Sequence, residues 1–142
     1  MTEDQIELVQ TTWNKITPYS EKFITDTYRT LFALEPALKP LFHLPPEVLV
    51  SKMAYTLNAV LTSLRNIDEI RFILLRLGAH HVGYGAQIPH FALLKTALTQ
   101  TLQQHLGDDL TEQAADAWSQ AYDLISTILI EGMEKQRQTL NK

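Results

Sequence analysis

A chain of 142 residues, 45% hydrophobic and 20% charged with only 5 glycines and 6 prolines, has the size and composition of one folded domain and excludes intrinsic disorder. A formal net charge of −4, from 12 basic against 16 acidic residues, leaves no basic stripe of the kind phosphate backbones require and argues against nucleic acid as a partner. With no cysteine, disulfides, thiolate zinc sites and iron–sulfur clusters are excluded together, so any metal must be held by histidine, carboxylate or a cofactor.

A 3.6-residue period runs through almost every segment while strand-like alternation is nearly absent, so the predicted fold is all-α, with residues 1–142 as a single domain. The acidic, amphipathic start MTEDQIELVQ has neither the basic lead nor the apolar run of a secretory signal, which predicts a cytoplasmic protein. The apolar stretch LISTILIEGM near the end is too short for a membrane span. In chain order, Thr2 and Gln5 make a capping box ahead of a first helix whose face carries Ile6, Val9, Trp13 and Ile16 until Pro18 interrupts. From about Ser20 a second helix aligns Ile24, Thr27, Tyr28 and Leu31, and Pro36 marks a corner where a short helix can begin. After LFHLPP, a long helix from about Pro46 places Leu49, Met53, Leu57, Val60 and Leu64 on one stripe, and RNIDE ends it. The next helix carries Ile70, Ile73, Leu74, Leu77 and His81 on a common face and stops at Gly83 and Gly85, with His80 rotated about 100° away. Pro89 opens a helix through Phe91, Leu94, Leu98, Leu102 and His105 that Gly107 closes, and Thr111 caps a last helix through Trp118, Ile125 and Ile128.

No G-x-S-x-G elbow, phosphate-cradling glycine loop or metal-spaced histidine pair is present, which disfavours hydrolytic and bare-metal chemistry. His80 and His81 are helix neighbours whose side chains diverge and cannot close on one ion. His81 ends an apolar stripe, where an imidazole needs either a hydrogen-bond partner or a metal; spacing alone allows a satisfied core histidine as well as a ligand. Tyr28 is open in the same way, as a core aromatic bonded to a nearby carbonyl or as a donor to something else. Phe42 and Met53, read singly, are ordinary core residues.

Five markers in order, Trp13, YRTLFALEPALKPLF (28–42), LGAHHVGYG (77–85), PHFALLKTAL (89–98) and LTEQAADAWSQAYDLI (110–125), give nearly the whole chain a resemblance to the globin family. It is most similar to the single-domain bacterial globins related to flavohaemoglobin globin domains and neuroglobin. The resemblance implies a three-over-three helical sandwich around haem b, iron protoporphyrin IX. In that family a proline opens the short third helix and a haem-stacking phenylalanine follows six residues later, which Pro36 and Phe42 match. Eight residues before the proline stands the distal position, here Tyr28, and the proximal iron ligand matches His81. The same resemblance places Leu49, Lys52 and Met53 on the distal helix, with Lys52 near a haem propionate. It puts Leu77, Tyr84, Phe91 and Leu94 on the proximal and side walls.

The function so implied is reversible binding of dioxygen, and also of CO and NO, at a five-coordinate iron, for oxygen transport, storage or sensing. Tyr28 would donate a hydrogen bond to the gas, and Leu49 and Met53 would keep that bond dry. Flavohaemoglobin globin domains carry a tyrosine where Phe91 stands and a glutamate near Met133, a position flanked here by Glu131 and Glu134. The alternative reading, a nitric oxide dioxygenase served by a separate reductase, therefore lacks their proximal polar pair. A haem-free sensor module on the same fold is a third reading.

Overall fold

The computed structural model describes residues 1–141. Its helices are α1 (Glu3–Ile16), α2 (Ser20–Leu34), α3 (Pro46–Thr62), α4 (Arg71–Gly83), α5 (Ile88–Leu106) and α6 (Glu112–Leu140). Short 3-10 turns join them over Thr17–Tyr19, Pro36–Leu41, Leu64–Ile70 and Gly107–Asp109, and no strand occurs among the described residues. The capping box forms as the sequence predicts: the Gln5 N–H donates to Thr2 Oγ1 (3.1 Å) and the Thr2 N–H to Gln5 Oε1 (2.9 Å). Thr111 caps α6 by accepting from the Ala114 N–H (3.1 Å), and Gly107 ends α5 at φ +53, which only glycine adopts readily.

Helix α6 lies against α1 and α4, while α2 lies against α5 and α3. At the centre, the buried Trp13 ring meets Phe23 and Trp118 edge-on, at 6.0 and 6.3 Å. Both indole N–H groups find partners. Trp13 Nε1 donates to Asn58 Oδ1 (2.9 Å), and Trp118 Nε1 donates to Thr12 Oγ1 (2.7 Å), whose own hydroxyl donates to the Leu8 carbonyl (2.7 Å). A second tie joins α5 to α2, where His105 Nε2 donates to Asp26 Oδ2 at 2.8 Å with the side chains only 11% and 18% exposed. His105 also stacks on Tyr19 and meets Phe23 edge-on. Burial pulls the Asp26 carboxyl up, but hydrogen bonds from His105 and Lys22, with their charges, outweigh it and hold the group below its ordinary value.

Two helical expectations shift. The predicted stripe through Leu64 is broken, because α3 ends at Thr62 and the chain turns at Ser63 and Asn66, which leave helical geometry. The Asn66 N–H donates to the Ser63 carbonyl (2.9 Å), a local bond that competes with the helix ladder, and Leu64 reaches the main core from the turn instead. In α4 the buried face carries Leu74 and Gly78, so Ile73, expected on the inward stripe, is 51% exposed. A glycine adds nothing to an apolar pattern, so the sequence face is centred too far from it.

That glycine permits an unusually close crossing. A Cβ on Gly78 would stand 2.0 Å from the Leu129 carbonyl oxygen of α6, and a Cβ on Gly132 would stand 2.0 Å from the Leu75 carbonyl oxygen of α4. The two backbones touch directly, each through the other's glycine.

Candidate functional site

The corner after α2 places the first group of site residues. The Glu35 side chain accepts from the Ala37 N–H (3.2 Å), Pro36 supplies a pre-set φ for the following turn, and Phe42 emerges from its end in extended backbone. The Phe42 ring meets Tyr28 at 5.4 Å and Phe32 at 5.2 Å, both edge-on, and Tyr28 and Phe32 stack at 6.0 Å one turn apart on α2. Leu31, Leu38 and Ala97 are buried beneath them, and Leu94 packs on the same cluster from α5. Phe32 escaped the sequence reading, although its place four residues after Tyr28 was a usable signal.

Tyr28 is mostly buried, yet its hydroxyl has no hydrogen-bond partner among the described residues; burial pushes its pKa up to about 12, so the phenol is a neutral donor at physiological pH. The contrast is Tyr122 on α6, whose hydroxyl donates to the Phe91 carbonyl at 2.5 Å. On α3, Met53 is half-buried against the main core that Tyr28 also touches. Leu49 is half-buried outside the core clusters, and Lys52 is exposed with no ion pair among the described residues.

The second group gathers at the end of α4. His81 Nδ1 donates to the Leu77 carbonyl at 2.7 Å. A carbonyl can only accept, so this bond keeps a proton on Nδ1 and leaves the lone pair of the neutral ring on Nε2. The His81 ring lies 5.5 Å from Tyr84, edge-on, and 5.9 Å from the buried Phe91. Leu77 is half-buried, whereas Tyr84 is 55% exposed and sits at the rim. His80 is exposed, as its rotation away from the stripe predicts. Gly85 rather than Gly83 makes the stop: at φ +82 it lets the Gly85 N–H donate to Val82 O (3.1 Å) and the Ala86 N–H to His81 O (3.1 Å). Helix α5 joins the two groups, since Phe91 and Leu94 are one turn apart on it.

Among the described residues no carboxylate is hydrogen-bonded to His81. Met133 is fully buried, the Glu131 carboxylate is paired with Arg71 and with Lys135 (3.2 Å), and Glu134 is exposed. Nor do the described residues contain a cluster of three His, Asp or Glu side chains able to hold a bare metal ion.

The family model described as Globin matches residues 25–129, a span that includes Tyr28, Phe42 and His81. The chain belongs to the globin family. Neuroglobin-1 of Oncorhynchus mykiss is 28% identical over 95% of this globin and 94% of its own length. A flavohemoprotein of Xylella fastidiosa is 28% identical over 87% of this chain, which spans 32% of that longer protein. Among solved structures, an engineered carbene transferase built on a candidate nitric oxide dioxygenase of Rhodothermus marinus superposes with a TM-score of 0.91 at 27% identity, over 100% of this chain and 99% of the other. The all-α globin fold expected from the sequence is therefore the fold observed, and membership implies haem-based binding of small gases. No helix among the described residues is long and apolar enough to cross a membrane.

Proposed function

We propose that this globin holds haem b through His81 and reversibly binds dioxygen, with CO and NO as competing ligands. The observation that carries the reading is the pair of polar groups unused among the described residues: His81 Nε2, left free by the Nδ1 bond to Leu77, and the hydroxyl of the mostly buried Tyr28, which has no protein acceptor. A haem fits these residues, because one group is a metal-ligating lone pair and the other a hydrogen-bond donor, with aromatic and aliphatic walls around them. A chain without cysteine has no thiol for covalent attachment, which supports haem b.

When bound, the haem would be held through His81 Nε2 and would supply a ferrous iron able to bind a diatomic gas. Leu77 orients the imidazole by fixing its tautomer, the effect a carbonyl partner has on metal-ligating histidines generally. Phe42, Phe91 and Leu94 would offer apolar surface to the haem, Tyr84 would stand at the rim, and Lys52 would be available to a propionate. With haem and gas bound, the Tyr28 O–H would donate a hydrogen bond to a ligand carrying partial negative charge, favouring dioxygen over the less polar CO. Leu49 and Met53 keep water from competing for that bond.

Transport, storage and sensing of oxygen all use this site. A second reading, nitric oxide dioxygenation with electrons from a separate reductase, draws support from the likeness to the Rhodothermus marinus protein. Phe91, without a hydroxyl, and Met133, without a charge, weigh against it, since His81 then leans only on a neutral carbonyl. Ferrous absorption spectra recorded without and with oxygen test the leading reading: a five-coordinate spectrum that converts to a stable oxygenated one is expected. Replacement His81→Ala should abolish the Soret band, and a variant with normal haem content would overturn the assignment. Rapid NO consumption sustained by a cellular reductant would favour the dioxygenase, and a colourless purified protein the haem-free module.

A further inference from the structure

The residues nearest His81 along the chain are held by one helix, α6, at three levels. Arg71 at the start of α4 pairs with Glu131. One turn before His81, Gly78 lies on the Leu129 backbone while Leu75 lies on Gly132, with room for no side-chain carbon on either glycine. Just beyond His81, Arg137 Nη2 donates to the Ala86 carbonyl at 3.1 Å, and the Ala86 N–H in turn donates to the His81 carbonyl at 3.1 Å. His81 thus has a backbone contact fixed by α6 on each side. Its ring is tied to the same segment, because Nδ1 donates to the carbonyl of Leu77, the residue before Gly78.

We infer that α6 positions His81: the crossing at Gly78 and Gly132 sets how deeply the imidazole sits, and Arg137, acting through Ala86, sets the end of the helix that carries it. The contact is backbone on backbone, so it has no rotamer to relax. A Cβ 2.0 Å from a carbonyl oxygen must retreat by roughly 1.4 Å to reach ordinary contact at 3.4 Å, and because the clash is with backbone, α4 and α6 must shift relative to each other. A displacement on the order of 1 Å in a supporting element is enough to spoil a site held by its neighbours. Gly83, two residues past His81 on the same helix, provides the comparison, because a Cβ there meets nothing within 4 Å.

The consequence for iron rests on the haem reading above; the test separates the two. Resonance Raman spectra of the purified, deoxygenated ferrous protein read the iron–histidine stretch, which reports the position of the imidazole rather than gas-binding activity. Gly132→Ala and Gly78→Ala should shift and broaden that band. Arg137→Met should move it less and in the same direction, and decides the matter if the glycine variants do not fold. Gly83→Ala should leave it unchanged, as should Leu102→Ala, which weakens the main core away from α4. A band unmoved in Gly132→Ala and Arg137→Met, or moved as far in Leu102→Ala, overturns the inference. A native protein with haem but no iron–histidine stretch overturns the haem assignment instead.

Discussion

Two tyrosines in this globin are chemically alike and placed for opposite purposes, which gives a sharp test by removal of one oxygen atom. The Tyr122 hydroxyl donates to Phe91 O at 2.5 Å, whereas Tyr28 is mostly buried but its hydroxyl has no protein acceptor among the described residues. Tyr122→Phe deletes a bond between α6 and α5. The Phe91 carbonyl lies within α5 and keeps its helical partner, so the loss is one net hydrogen bond, about 1 kcal/mol. Tyr28→Phe deletes a hydroxyl that makes no protein hydrogen bond among the described residues, while the ring contacts with Phe32 and Phe42 at 6.0 and 5.4 Å are retained. Its effect on stability should stay within about 0.5 kcal/mol of zero. Gas binding should report the reverse. Loss of a hydrogen bond to a partly charged ligand costs about 1.5–3 kcal/mol, so Tyr28→Phe should speed oxygen dissociation roughly ten- to hundredfold, and Tyr122→Phe should barely alter it. Urea midpoints of the anaerobic ferrous proteins at constant slope give the first quantity, and stopped-flow oxygen displacement gives the second. If Tyr28→Phe destabilises as much as Tyr122→Phe, or leaves the off-rate unchanged, the phenol has a structural partner and the reasoning fails.

The Asp26–His105 tie makes stability depend on acid. Because the folded-state pKa of Asp26 lies below the ordinary 3.8, its contribution is complete above that value and is lost as pH falls through the folded pKa. Asp26→Asn should therefore lower stability at pH 6 by about 1.5–3 kcal/mol, with the gap to the native protein closing below about pH 4; urea midpoints measured across that range check it, and a gap that persists at low pH contradicts it. Thr12→Val keeps the shape of a buried residue but strips the acceptor from Trp118 Nε1, leaving an indole N–H unpaired beside the Trp13 ring. A loss of about 1–3 kcal/mol is expected in equilibrium unfolding followed by tryptophan fluorescence, and an unchanged midpoint would mean the indole finds another acceptor.

Much of this globin was legible in residue order because helices are local objects. Capping at Thr2 and Thr111, the corner at Pro36 and the stop near Gly85 each depend on residues a few positions apart, and periodicity alone turned His81 inward and His80 outward. What a residue meets across the fold is not local. Leu64 shows this, since Ser63 and Asn66 break the period and the core still collects the side chain. The tertiary structure alone decided that the Tyr28 hydroxyl lacks an acceptor among the described residues, that Tyr122 reaches Phe91, and that Glu131 pairs with Arg71 and Lys135 rather than with His81. It also decided the role of Gly78 and Gly132. An apolar period counts side chains, and these two positions matter because they have none: with no Cβ between them, two backbones close to contact, and the depth of His81 follows from that approach.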